Sequence, residues 1–270
     1  MDYYFSHHYY QKTKLFNRTA GALSRRRPDD LLTRRFMALI EAFNEGNSAD
    51  RRPVKTLYED GCYIAFNKPE GLLVIPTPKK EIHTLTSIVN SEYAKRGCFE
   101  RLHPCHRLDR ETSGVILFAK GKKNQQLMME EFRRRRVKKK YIAFIQGRPK
   151  TEDGTLKSAI SDFDQKRFNK KTKDRLAITC YKVVETRQFF SIIEVYPLTG
   201  RTNQIRIQFS QAGFPLLGDR KYARGRDFKI KFRRTALHAS QLEWYHPVEH
   251  KRIVVTAPLP KDMEEFLVKN

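Results

Sequence analysis

Residues 106–118, His-Arg-Leu-Asp-Arg-Glu-Thr-Ser-Gly-Val-Ile-Leu-Phe, place Asp109 between Arg107 and Arg110. A carboxylate in this setting has two uses. It can bond its own turn ahead of Thr112 and Ser113, or it can serve as an ionised nucleophile or base. The flanking arginines favour the charged form and predict a lowered pKa. A second stretch carries related chemistry. Tyr141 follows Arg133–Lys140, where seven of eight residues are cationic. Such a run repels itself unless an anion lies near, which points to phosphate contact. A tyrosine at the end of it is either a core residue or a ring on which a nucleobase stacks. The third stretch is Pro197-Leu198-Thr199-Gly200-Arg201-Thr202-Asn203. It breaks a strand and opens a helix, and a helix N-terminus carrying Thr, Arg and Asn suits an anion. Arg206 lies one turn further on, as a solvated arginine or as a partner for an acid.

The composition sets the scale of these sites. The chain has 270 residues and a net charge of +24, from 54 Lys and Arg against 30 Asp and Glu. Such a surface suits a polyphosphate, because every phosphate it neutralises releases a counterion. An anionic membrane would also attract it, but no apolar run approaches the roughly 18 residues that span a bilayer. The N-terminus, Met-Asp-Tyr-Tyr-Phe-Ser-His-His, lacks a basic segment followed by an apolar core, so no signal peptide is expected. The cysteines Cys62, Cys98, Cys105 and Cys180 are too few and too scattered for a disulfide framework. A cytoplasmic location is expected. Cys98, His103, Cys105 and His106 invite a zinc reading, but their spacing is not that of a finger or ribbon, and buried thiols are the simpler account.

The elements that must position these residues follow from local pattern. Residues 1–52 read as an extension with a helix over about 31–43, opened by Pro28-Asp29-Asp30. Residues 53–270 read as one domain. Short strands are expected at 62–66 and 72–76, joined by the turn Asn67-Lys68-Pro69-Glu70-Gly71. A helix capped by Thr84 follows over 84–96, then a strand at 115–119 and a helix over 122–135. Further strands are expected at 141–147, 178–184 and 189–196, the last two as an antiparallel hairpin. A polar, lysine-rich stretch over 150–175, a long hairpin or a loop over the surface, precedes them. A helix over 203–212, strands at 237–245 and 253–257, and a closing helix over 260–268 complete the chain. Residues 220–234 carry eight cations.

Four blocks in this order carry a family resemblance: Tyr58-Glu59-Asp60 through Gly71; His106-Arg107-Leu108-Asp109 with Thr112-Ser113-Gly114; Lys140-Tyr141-Ile142-Ala143 through Gly147; and Pro197 through Arg206, continuing into Gly218-Asp219. The chain resembles the RluA-type pseudouridine synthases over about residues 53–262. The resemblance implies an α+β domain with a mixed, mainly antiparallel central sheet flanked by helices and loops. It implies an isomerase that converts uridine to pseudouridine in structured RNA, a ribosomal or transfer RNA stem-loop. It assigns catalytic roles to Asp109, Tyr141 and Arg206. Ile205 stands beside the base, and Arg107 enters the RNA stack where the uridine leaves. His106, Arg201, Thr202 and Asn203 join them in binding substrate; Asn203 stands where many members carry His. The reaction breaks a glycosidic bond, rotates the base and rejoins it through carbon. It involves no redox step and no phosphoryl transfer, so no cofactor or metal is expected, and a monomer is expected. A single carboxylate argues against an ordinary glycosidase, which pairs an acid with a base. Whether Asp109 attacks carbon or removes a proton stays open. The competing reading is a non-catalytic RNA-binding protein on the same fold; a zinc-dependent nuclease built on 98–106 lacks the carboxylates such sites want.

Overall fold

The computed structural model describes residues 54–161, 174–223 and 230–270. The extension 1–52 with its expected helix, residues 162–173 of the polar stretch and 224–229 of the cationic one lie outside the described residues.

The chain opens with β1 (Lys55–Glu59) and β2 (Tyr63–Lys68), then α1 (Leu85–Lys95), β3 (Leu102–Pro104), β4 (Ser113–Lys120) and α2 (Gly121–Arg133). It continues through β5 (Lys138–Gln146), β6 (Asp153–Ile160), β7 (Arg175–Thr186), β8 (Phe190–Pro197) and α3 (Gln204–Gln211). It closes with β9 (Leu237–Tyr245), β10 (Arg252–Thr256) and α4 (Lys261–Lys269). One sheet runs β1-β2-β4-β9-β5-β8-β7-β6, with β3 on β4 and β10 on β9. Every pairing is antiparallel except β4 with β9, which is parallel and rests on Ser113↔His238 and Gly114↔Ala239. The fold is the expected α+β domain.

β2 and β4 read as near-continuous apolar runs because both sheet faces are covered. On one face, Ile64, Phe66, Ile116 and Phe118 pack with Leu85, Val89 and Tyr93 of α1. On the other, Tyr63, Ala65, Val115 and Leu117 pack with Met128 of α2 and with Trp244. Farther along, Ala143, Ile145, Ile193 and Val195 pack with Ile205 and Phe209 of α3, whereas Phe144, Phe190 and Ile192 pack with Met263 and Phe266 of α4. Tyr141 touches both the α1 cluster and the α3 cluster. It therefore marks where two cores of one face meet.

One expected strand is absent. Residues 72–76 are not paired with β2, whose partners are β1 and β4. Their carbonyls cap a helix instead: Leu85 N donates to Leu73 O (2.7 Å), and Thr86 donates to Val74 O through N (3.1 Å) and Oγ1 (2.7 Å). The orphan amides of the first turn of α1 take the acceptors that a second strand would have used. The turn 67–71 is thus not a hairpin loop. Thr84 caps α1 as expected, its side chain accepting from Ser87 N.

Candidate active site

Asp109 sits in the loop between β3 and β4. The turn there is closed by its backbone carbonyl, which accepts from Thr112 N (3.1 Å). The carboxylate is not spent on that turn. It faces Arg206, with Oδ2 3.8 Å from Nη1, and its side chain keeps 24% of its exposure. Arg206 is held from behind: Nε and Nη2 donate to Asp219 Oδ2 and Oδ1 at 2.7 and 2.8 Å, and Nη1 donates to Asn203 Oδ1 at 2.9 Å. Asp219 is 1% exposed and also accepts from Lys221 N and Tyr222 N. The Arg206 guanidinium lies over the Tyr222 ring at 5.0 Å. A planar fork gripped on three donors has little freedom left, so it meets Asp109 in one orientation.

The lowered pKa expected for Asp109 is corrected by the structure. Burial raises it above the ordinary aspartate value and outweighs the opposing pull of Arg206, Arg107 and Lys68; Asp219 adds to the rise. Desolvation is a property of the folded surroundings, and it exceeds what flanking charges supply. The same burial, with Asp109 nearby, raises the Tyr141 phenol well beyond its usual range, so Tyr141 is a neutral ring at physiological pH. The β5–β9 register slips between Lys140 and Ile142, opposite Tyr141. Irregularities of this kind re-aim side chains beside sites.

Ile205, 6% exposed, begins α3 and packs in the cluster that Tyr141 joins. Arg107 is exposed on the Asp109 loop. Arg201 and Thr202 lie half-buried in the turn before α3, where Arg201 N donates to Gln204 Oε1 (3.0 Å). Asn203 holds φ +56°, a left-handed conformation that Asn tolerates; it places its amide oxygen on Arg206 rather than on the helix amides. His106 is turned toward the scaffold. Its Nε2 accepts from Leu117 N (3.1 Å), its ring meets Phe132, and burial lowers its pKa to about 3. It is neutral at physiological pH and sets the loop rather than binding a phosphate by charge.

Sequence reasoning missed three supports. Lys68 is 0% exposed, and its ammonium donates to the carbonyls of Pro69, Leu72 and Arg110 at 2.8, 2.8 and 3.1 Å. Burial pulls its pKa to about 7, yet three carbonyls match the three donors of the charged form. Arg110 Nε reaches Gly71 O (2.9 Å), so the 67–71 turn and the Asp109 loop clasp each other. Asp219 stood in a motif block but had no assigned role. Arg234, 4% exposed, grips Asp262 at 2.7 and 3.0 Å and donates to Glu111 O, Thr235 O, Leu237 O and Ser113 Oγ.

The cationic run 133–140 is largely paired within the protein. Arg133 and Arg134 meet Glu130, Arg136 meets Glu131, Lys138 meets Glu243, and Lys140 meets Glu194. The anions that quiet its self-repulsion are glutamates. Cys98, His103, Cys105 and His106 do not converge among the described residues; the metal-ligating types that do are Asp60, Cys62 and His246. There His246 Nδ1 accepts from Val248 N (3.2 Å) and Glu249 N (2.9 Å), which leaves the ring proton on Nε2, 3.1 Å from Asp60 Oδ2. A metal-bound His keeps its proton on the other nitrogen, so this is a His–Asp pair and not a ligand set.

Residues 62–211 match the family model for RNA pseudouridylate synthase. An uncharacterized RNA pseudouridine synthase of Bacillus subtilis is 34% identical over 218 residues, 78% of this chain and 70% of that protein. The ribosomal large subunit pseudouridine synthase D of Xylella fastidiosa is 31% identical over 228 residues, 80% of this chain and 69% of that one. Among solved structures, human RNA pseudouridylate synthase domain containing 4 superimposes with a TM-score of 0.67 over 86% of this chain and 95% of that chain, at 24% identity, and it shares the fold. The chain belongs to the RNA pseudouridylate synthase family. It is an isomerase acting on uridine in RNA, as the four sequence blocks imply.

Proposed function

We propose that the chain isomerises particular uridines in structured RNA after drawing them out of the stack, and that Asp109 acts on the ribose as nucleophile or base. The observation that carries this reading is the convergence at Asp109: a partly exposed carboxylate, a guanidinium held rigid opposite it, and a half-buried tyrosine ring on which the Asp109 charge acts. Extruding a base costs a few kcal/mol. Arg107, exposed on the same loop, fills the gap and holds neighbouring phosphates. Tyr141 and Ile205 receive the base. Arg206 favours the ionised form of Asp109 against the burial that opposes it, and Arg201, Thr202 and Asn203 bind the backbone at the turn before α3. A cleft of about 350 Å³ beside Asp219, lined by Arg220, Lys231 and Arg233, extends the cationic margin. A ribosomal RNA target is favoured because relatives are named for the large ribosomal subunit. A cytoplasmic enzyme follows from that substrate.

The test is direct. Purified protein is incubated with ribosomal and transfer RNA in chelator, and pseudouridine is mapped with and without Asp109→Ala. Product from the wild type alone is expected. Unchanged product from the variant overturns the role of Asp109. RNA binding without product from the wild type favours the non-catalytic binder.

A further inference from the structure

Lys139 has no part in the reading above, yet its surroundings single it out. It lies two residues before Tyr141 on β5, ahead of the register slip, where it pairs with Leu242 of β9. Its Nζ donates to Thr199 O at 3.1 Å, and a Cβ placed on Gly200 would lie 3.7 Å from it. On the other side it acts electrostatically on His106, the residue before Arg107. The ammonium therefore stands between the start of the Asp109 loop and the start of the Arg201–Arg206 turn. It is half-buried, and among the described residues Thr199 O is its one hydrogen-bond acceptor. Unlike Arg133, Arg134, Arg136, Lys138 and Lys140 around it, it has no glutamate against it among the described residues. Nearby, Arg201 Nε is buried without a partner.

We infer that Lys139 and Arg201 form a phosphate subsite for the target nucleotide, with one Lys139 donor holding a non-bridging oxygen while another stays on Thr199. The inference rests on the Asp109-centred reading and deepens it. A base against Tyr141 sets its own ribose toward Asp109, and the phosphate on that ribose then meets the gap between the Asp109 loop and the turn before α3, where Lys139 stands. A half-buried cation partly stripped of water attracts an anion more strongly than the paired arginines of the rim. Burial already lowers the pKa of Lys139 to about 8, which a bound phosphate would reverse. Lys139 is then a substrate-binding residue that also fastens the two loops, and the Thr199 bond pre-orients it.

The experiment uses the full chain and a short RNA stem-loop spanning a uridine that the wild type modifies in total RNA. Lys139→Met keeps the packed stem and removes the charge. It is expected to raise KM about tenfold, a loss carried by KM rather than kcat, and to reduce the slope of log affinity against log salt by about one. A purely structural role for Lys139 would lower kcat and leave the slope unchanged; that outcome overturns the inference. A second arm does not depend on the variant folding. A methylphosphonate at the phosphate of the target uridine should weaken the wild type about tenfold, and its effect should be non-additive with Lys139→Met. Neutralising that phosphate without effect on the wild type also overturns it. If Asp109→Ala still makes product, the parent reading fails instead, so the two failures are distinguishable.

Discussion

Arg234 and Arg206 each grip a carboxylate through Nε and Nη2, and they are put to opposite uses. Arg234 holds Asp262 and spends its other donors on Glu111 O, Thr235 O, Leu237 O and Ser113 Oγ. Nothing of it is left to face a ligand. Arg206 holds Asp219 in the same way, but its Nη1 turns outward to Asn203 and toward Asp109. The first arginine locks the loop that carries Asp109. The second supplies charge to it. The difference lies in where the spare donors go, not in the strength of the fork.

Breaking the comparison at its centre gives the largest effect. Asp109→Asn should lower kcat by about 10³-fold or more, measured by pseudouridine formation at saturating RNA. The same change should raise the melting temperature at neutral pH. The folded pKa of Asp109 lies above its unfolded value, so the protein pays for ionising it as pH rises through that folded pKa. Below the ordinary aspartate range both states are protonated, and the stability gain of the variant should vanish there.

The two forks should then separate. Arg234→Met leaves Asp262 and several carbonyls unpaired in a buried setting and should cost about 3–5 kcal/mol in denaturant unfolding. Enzyme that remains folded should still turn over. Arg206→Gln should cost less stability, because Asp219 keeps two backbone amides, and should lower kcat about 10²-fold. Equal losses of stability and turnover in both variants would erase the distinction.

A smaller effect sharpens it. The acid limb of kcat/KM should lie above the ordinary carboxylate range, because burial raises Asp109. Arg206→Gln removes the largest opposing charge and should move that limb to higher pH, whereas Arg234→Lys should leave it in place. The smallest effect belongs to the rim. Arg134→Ala removes an exposed ion pair with Glu130 and should change stability by less than about 0.5 kcal/mol, while weakening RNA binding in low salt.

Much of the fold was legible because β2, β4, β5 and β8 carry apolar runs bounded by turn residues, and because Thr84 caps α1. The run 72–76 misled. Its composition is that of a strand, but its carbonyls were claimed by the helix amides that follow, a long-range choice that local pattern does not contain. Motif spacing singled out Asp109, Tyr141, Ile205 and Arg206, and the fold brings Arg206 to 3.8 Å from Asp109 and Ile205 into the cluster that Tyr141 joins. The sign of the Asp109 shift was not, since burial depends on neighbours far away in sequence. Lys68 looked like part of a turn and is a fully buried ammonium; only its place in a motif block hinted at more. The basic run looked like an RNA surface and proved to be mostly matched by glutamates from α2, β8 and β9.

The parallel contact of β4 with β9 has a consequence for synthesis. Two residue pairs join the β1-β2-β4 side of the sheet to the β9-β5-β8 side, and Ser113 meets His238 across 125 residues of chain. Closing so long a loop is entropically costly and late. Asp109 is made before Arg234 and β9, which fix its loop. A nascent chain can therefore build the β1-β2-β4 part of the sheet while the surroundings of Asp109 stay incomplete until β9 is delivered.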